Sequence, residues 1–63
     1  MTYRERRQRG KWTLEQIAAL AEINVSTLHR IEKGESKPSR KTARDIESAL
    51  AIKEAEQKVE AGA

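Results

Sequence analysis

The sequence predicts a compact all-α bundle of four to five helices. Helix-start signatures alternate with glycine and proline stops, and the apolar residues between them recur with the three/four spacing of one helical face. In addition, no alternating run of β-branched residues is long enough to form a strand. The core must be small, because a chain of about 60 residues hides only about 60% of its extended surface on folding.

The first two helices are predicted from their start and stop residues. Thr2 with Glu5, and Thr13 with Gln16, have the capping-box spacing, in which two side chains and two backbone amides exchange hydrogen bonds. We therefore expect helices to begin directly after the two threonines. Gly10 is expected to close the first helix in a left-handed conformation.

Two further helices are predicted in the second half of the chain. Asn24 is a good N-cap for the third helix, and Gly34 is expected to end it. Pro38 keeps the residue before it out of helical geometry, which predicts a loop at this point. Either Ser39 or Thr42 can then start the last helix.

The connection between the second and third helices indicates how they are arranged. Only about three residues separate the predicted helices 14–21 and 25–33, and so short a connection forces a large angle, as in a helix-turn-helix. A coiled-coil hairpin would require sustained heptads, which Gly10, Gly34 and Pro38 interrupt. The helix-turn-helix is therefore the preferred interpretation.

The apolar spacing also predicts the core. Ala18 is small enough to let the two helices of the motif touch. The other expected core residues are Leu14, Leu20, Ile23, Leu28, Ile31, Ile46 and Leu50.

Composition excludes several classes of protein. Without cysteine the chain has no disulfide scaffold, iron–sulfur cluster or Cys-ligated zinc, and its one histidine, His29, does not suffice for a metal site. No segment approaches the ~20 apolar residues of a membrane span, and no signal peptide is visible. Ser26 and Ser39 lack a base with an orienting partner, so an enzyme is set aside. We expect a soluble cytoplasmic protein with no catalytic residues, cofactor, metal or small-molecule substrate.

The net charge of +3 conceals an alternation along the chain. Counting Lys and Arg against Asp and Glu, residues 1–12 carry +4, residues 13–29 carry −2, residues 30–44 carry +4 and residues 45–63 carry −3. If folding brings the two basic blocks together, they form one positive face suited to phosphates. The alternative is that a short helical protein carries Lys and Arg for solubility.

A dense motif runs from Ser26 to Gly34, with Pro38 four residues further on and Ala18 eight residues before Ser26. This run and its flanking residues resemble the lambda-repressor-like family of helix-turn-helix proteins, of the Cro/repressor and XRE type. The resemblance covers most of the chain. It implies a DNA-binding domain over residues 1–52, followed over 53–63 by a polar helical segment or tail.

The resemblance also implies how the chain would bind double-stranded DNA. The recognition helix, residues 25–33, would enter the major groove with Val25, Ser26 and Arg30 at the base-reading positions. Arg30 is suited to bidentate bonds with guanine O6 and N7. Val25 fits a thymine methyl group and packing inside the protein equally well.

Contacts to DNA phosphates are expected from polar and basic residues on both sides of that helix. For Thr27 the alternative is a helix-start role, and for His29 it is simple solvation. Arg4 and Arg6 are further candidates, for a phosphate or a minor groove. The main set is Thr13, Gln16, Thr27, His29, Lys33, Lys37, Ser39, Arg40 and Lys41.

Four positions in the first three predicted helices and the turn between the second and third have particular structural interest. Arg7 and Glu32 match an ion pair with which the family commonly locks its first helix to its third; the alternative is a phosphate-facing arginine and a solvated glutamate. Glu22 occupies the turn position where the family usually has glycine, so it must adopt a positive φ or force a different turn. Arg6 replaces a residue that is usually apolar.

The expected partner is operator DNA, bound by a homodimer on a roughly palindromic site. The regulator would be a repressor of phage, plasmid or mobile-element type. Ile52 and Val59 are candidates for the dimer contact, although residues 58–63 fit a frayed tail better. The alternative function is a protein-interaction module, such as the antitoxin of a toxin–antitoxin pair, which can also bind its own operator.

Overall fold

Four helices make up the part of the chain that the structure describes. The computed structural model describes the backbone of residues 2–62 and the side chains of residues 2–58. The helices are α1 (Tyr3–Arg9), α2 (Leu14–Ala21), α3 (Val25–Glu32) and α4 (Arg40–Gly62), and no strand occurs among residues 2–62. The all-α prediction is therefore confirmed, with four helices.

The helix starts follow the local hydrogen bonds that the sequence predicts. The Glu5 amide donates to Thr2 Oγ1 at 3.1 Å, and the Thr2 amide donates back to the Glu5 carboxylate at 3.3 Å. An equivalent capping box joins Thr13 and Gln16 at the start of α2. Ahead of α3, the Asn24 side chain accepts from the Ser26 amide at 2.8 Å.

Of the two candidates for starting α4, Ser39 is the residue directly before the helix. Its Oγ accepts from the Thr42 amide at 3.2 Å, so that one helical amide without an intrahelical partner is satisfied. From there α4 runs without a break through residue 62, and the polar segment from residue 53 continues the same helix.

The turn after α1 differs from the prediction. Gly10 is right-handed, with φ −87°, and the left-handed residue is Lys11, with φ 60°. The expectation for Gly10 is therefore wrong. Glycine has another reason to be there, because a Cβ atom on Gly10 would overlap the indole ring of Trp12. The ring lies against the backbone of the turn at a place where only glycine leaves room for it.

The core lies mainly between α2 and α4. The residues that are at most 3% exposed come from α2, α3 and α4: Ile17, Ala18, Ala21, Leu28, Ile46, Ala49 and Leu50. Five partly buried residues pack around them: Tyr3, Trp12, Leu14, Ile23 and Ile31.

Leu20 is the one predicted core residue that lies outside. It is 43% exposed. Helix α2 faces the core with Ile17 and Ala21, and Leu20, which directly precedes Ala21, points about 100° away from it around the helix axis. The prediction of a buried Leu20 is wrong.

Candidate nucleic-acid interface

The turn between α2 and α3 is built on a left-handed glutamate. Glu22 ends α2 with φ 58° and ψ 41°, and its N–H donates to the carbonyl oxygens of Ala18 and Ala19. The Ile23 N–H reaches the Ala18 carbonyl at 3.0 Å. Of the two possibilities for Glu22, the positive φ is the one adopted. A non-glycine residue in this conformation costs about 1–3 kcal/mol, which the packing of the surrounding helices must offset.

Small and apolar side chains fix α3 against the rest of the domain. Ala18 is 2% exposed and Leu28 is fully buried, so that α2 and α3 approach closely on this side. Ile31, one turn after Leu28, packs against the same core. This face of α3 is therefore packed against the core.

The opposite face of α3 is open to solvent and polar. Ser26, Thr27, His29 and Arg30 are all exposed, and Val25 is 38% exposed at the start of the helix. The Arg30 guanidinium makes no hydrogen bond or ion pair with any residue whose side chain is described. The helix thus presents a free guanidinium, two hydroxyl groups and one imidazole group on one surface.

Arg7 and Glu32 join α1 to α3. Arg7 Nε and Nη2 donate to the two carboxylate oxygens of Glu32 at 2.8 and 2.9 Å, and its Nη1 donates to the Trp12 carbonyl at 3.0 Å. The two side chains are only 14% and 3% exposed. The hydrogen bond to Glu32 raises the pKa of Arg7. One guanidinium therefore ties together α1, α3 and the segment that leads into α2.

The start of α2 keeps part of its polar side chains available. Thr13 and Gln16 are exposed, and their capping box uses the Thr13 hydroxyl and the Gln16 side-chain carbonyl as acceptors. The side-chain NH₂ group of Gln16 is not needed for this box. It can donate to an anion in front of the helix, where the α2 dipole is also favourable.

The loop after α3 and the start of α4 carry most of the remaining basic residues. Lys37 and Arg40 are exposed, whereas the Ser39 hydroxyl caps α4. Two of the predicted phosphate ligands have acidic neighbours: Lys33 lies 3.1 Å from Glu35, and Lys41 lies 3.1 Å from Asp45. Both pairs are exposed on the lysine side, and such surface pairs are weak.

The structure gathers several of these cations around two clefts. His29 and Lys33 line one of them, between α1 and α3. Arg40 and Lys41 line the other together with Arg44. Arg44 is not among the predicted phosphate ligands, although its spacing from Arg40 and Lys41 places all three on one helical face.

Arg6 does not belong to this surface. Its guanidinium lies 2.5 Å from Glu47 and 2.7 Å from Glu54, both on α4, and its side chain is only 17% exposed. The hydrogen bonds to Glu54 and Glu47 raise its pKa. The suggested phosphate or minor-groove contact of Arg6 is therefore wrong, because the side chain is already held between two carboxylates.

Comparison with known families decides the identity of this arrangement. A family model described as Helix-turn-helix matches residues 4–57. The chain belongs to this family. It is a DNA-binding helix-turn-helix regulator of the Cro/C1 and XRE type. No curated protein and no solved structure gives a significant match.

The extent of the match adds to the picture of this helix-turn-helix protein. It includes all of α1, α2 and α3 except the first residue of α1, and it continues into the polar half of α4. Within the part of the chain that the structure describes, no helix is sufficiently long and apolar to span a bilayer.

Proposed function

We propose that the protein is a sequence-specific transcriptional repressor of phage, plasmid or mobile-element type, which inserts α3 into the major groove of its operator. Val25, Ser26 and Arg30 read the base edges. The observation that carries this proposal is the exposed polar face of α3, with Arg30 unpaired among the described side chains. On the other face of α3 the buried Leu28 packs the helix against the core.

Phosphate contacts hold the domain on the duplex from both sides of α3. Thr13 and Gln16 donate from the start of α2, Thr27 and His29 donate from α3, and Lys33 donates from the residue that follows α3. On the far side the donors are Lys37, Ser39, Arg40 and Lys41. These contacts are independent of sequence, and they make the affinity fall as the salt concentration rises.

Two copies bind a roughly palindromic operator, since one domain reads only a few base pairs. In such complexes the half-site centres lie about 34–36 Å apart. The dimer contact is proposed on α4, where Ile52 is 48% exposed. The side chain of Val59, the second candidate, lies outside the described residues.

The test is selection of bound sequences from a random duplex pool at about 150 mM salt, with wild type, Arg30→Ala and Lys58→Ala. The proposal expects an enriched inverted repeat for wild type. Arg30→Ala loses the preference for one guanine in each half-site, at a cost of about 1–3 kcal/mol. Lys58→Ala removes the same charge from an exposed position of α4 and is expected to keep the motif.

Two results would contradict the proposal. One is weak binding without an enriched motif, lost as salt rises. The other is an Arg30→Ala variant that selects the wild-type motif unchanged. The first would favour the protein-partner function.

The alternative function, an antitoxin-like interaction module, is supported by the second half of α4. Residues 51–58 form a helix in which Lys53 alone is partly buried. A protein partner that covers this helix would protect its backbone amides from hydrogen exchange. The test is to measure hydrogen exchange with and without the product of a neighbouring gene. Protection of residues 51–58 would favour the antitoxin-like function.

A further inference from the structure

An apolar groove lies between the start of α1, the end of α3 and the loop that follows α3. Its volume is about 420 Å³, within the range of roughly 300–1,000 Å³ that is usual for small-molecule sites. Each of these three elements contributes one partly buried apolar side chain to its wall: Tyr3, Ile31 and Pro38. Since most of the groove's surface is apolar, the burial of an apolar molecule in it is favourable.

The polar side chains of the groove are, with one exception, already engaged. Both carboxylate oxygens of Glu32 accept hydrogen bonds from Arg7. The Thr2 hydroxyl donates to the Glu5 carboxylate at 3.0 Å and accepts from the Glu5 amide at 3.1 Å. The exception is Arg4, which is exposed and whose guanidinium makes no hydrogen bond or ion pair with any residue whose side chain is described. A ligand in the groove therefore finds apolar walls and one available cation.

The charges next to the groove also favour an anion. Lys33 and Lys37 are exposed, and each directly precedes a residue that lines the groove. The carboxylate of Glu35 lies between them in the chain and is paired with Lys33 at 3.1 Å. With Arg4, three cations thus stand against one carboxylate at this edge of the domain.

We propose that the groove binds a small molecule with an apolar body and one anionic group, and that this effector weakens operator binding. The apolar body lies against Tyr3, Ile31 and Pro38, and the anionic group pairs with Arg4. Binding in the groove goes beyond the proposed function and does not depend on it, whereas the effect on the operator rests on that function.

The effect on DNA follows from the charge that the effector brings. Lys33 and Lys37 are proposed phosphate contacts, and both adjoin the groove in the chain. A negative charge on Arg4 lowers the positive potential of this edge, which attracts the duplex. Because coupling between two binding sites is reciprocal, operator DNA should weaken effector binding by the same factor.

The test of the site uses naphthylacetate, an aromatic carboxylate, and naphthylacetamide, which has the same shape and no charge. Each is titrated into the isotope-labelled protein at pH 7 and followed by NMR. In wild type we expect the shifts of backbone amides to be concentrated in residues 2–4 and 31–37. The carboxylate is expected to bind up to about fivefold more tightly than the amide, which is the contribution of one exposed ion pair.

Three variants separate the two parts of the site. Arg4→Gln is expected to bind both compounds with equal affinity, because only the charge is removed. Gly34→Asn is expected to weaken both, since a Cβ atom at this position of the wall would meet no atom within 4 Å and asparagine tolerates the φ of 80°. Lys58→Ala, the charge-matched control for Arg4→Gln, is expected to behave as wild type. Circular dichroism confirms that each variant is folded.

The effect on the operator is measured on a duplex that wild type has been shown to select. Saturating naphthylacetate is expected to raise the Kd for this duplex about fivefold, the lower end of the usual coupling between two sites. Naphthylacetamide is expected to leave this Kd unchanged, because it adds no negative charge.

The outcomes distinguish the site, its ligand class and its role. If the shifts are absent or lie outside the groove, the site is wrong. Equal affinity of wild type for acid and amide would overturn the anionic class and would favour an uncharged apolar side chain of a protein partner. A duplex Kd that is unchanged by saturating naphthylacetate would overturn the effector role and leave the site standing. If wild type selects no duplex, the proposed function and the effector role fail together, and the amide shifts still decide the site.

Discussion

The ion pair between Arg7 and Glu32 is expected to decide whether the domain folds. The pair is 14% and 3% exposed, so removal of Arg7 leaves the Glu32 carboxylate buried without its cation. Breaking a pair of this kind costs about 3–5 kcal/mol. At about 0.05–0.15 kcal/mol per residue, a domain of this size has only about 3–9 kcal/mol of stability in total. Arg7→Ala should therefore lose roughly a third or more of the domain's stability, and it should be unfolded if the wild-type value lies at the low end of this range.

The assay is urea unfolding followed by the fluorescence of Trp12, whose carbonyl accepts from Arg7 Nη1. A loss of about 3–5 kcal/mol corresponds to a decrease in Tm of roughly 12–40 °C at this chain length. The double variant Arg7→Met with Glu32→Leu is expected to recover much of this loss, because apolar replacement of both partners removes the uncompensated charge.

Lys41→Ala is the matched control, since it breaks an ion pair whose lysine side chain is 86% exposed. Its expected cost is about 0–1 kcal/mol. The reasoning would be refuted if Arg7→Ala cost no more than Lys41→Ala, or if the double variant were as unstable as Arg7→Ala.

Two further predictions concern the turn of the motif and the clamp on α4. Glu22→Gly is expected to raise the free energy of unfolding, measured by urea unfolding, by about 1 kcal/mol. Glycine removes the cost of the left-handed φ of 58°, and this gain exceeds the additional entropy that glycine loses on folding. A destabilised variant would show that the turn is not strained. The hydrogen bond from Arg6 lowers the pKa of Glu54 from its ordinary value of 4.5. A depressed carboxyl pKa stabilises the fold above 4.5 and loses this contribution as the pH falls through the folded value. At pH 7 Glu54→Gln should therefore be less stable than wild type by at most about 1 kcal/mol, since Glu54 is exposed. In acid the two proteins should be equally stable. A difference in stability that persists at low pH would contradict this assignment.

The features that the sequence predicts correctly depend on neighbours a few residues apart. The capping boxes at Thr2 and Thr13 and the cap at Asn24 use side chains that lie two or three residues from the amides they bind. The buried residues Ile17, Leu28, Ile46 and Leu50 follow helical spacing. Local patterns of this kind were sufficient to predict the helix starts and the all-α class.

The features that the sequence does not reveal depend on where side chains and helices come to lie in three dimensions. In the first turn the left-handed residue is Lys11, and Gly10 instead leaves room for the indole of Trp12; the usual rule of a left-handed glycine after a helix predicts neither. Spacing alone does not say which flank of α2 faces α4, and this is why Leu20 was misplaced.

Arg6 shows how a departure from the family pattern is accommodated, and with what consequence. None of the described residues of α1 is buried, so this helix is attached largely through polar bonds. Arg6 and Arg7 are adjacent and point about 100° apart, so that one binds Glu47 and Glu54 on α4 and the other binds Glu32 on α3. The carboxylates that Arg6 holds are well exposed, and salt screens such pairs much more than it screens the Arg7 pair. Salt should therefore loosen α1 from α4 before it loosens α1 from α3.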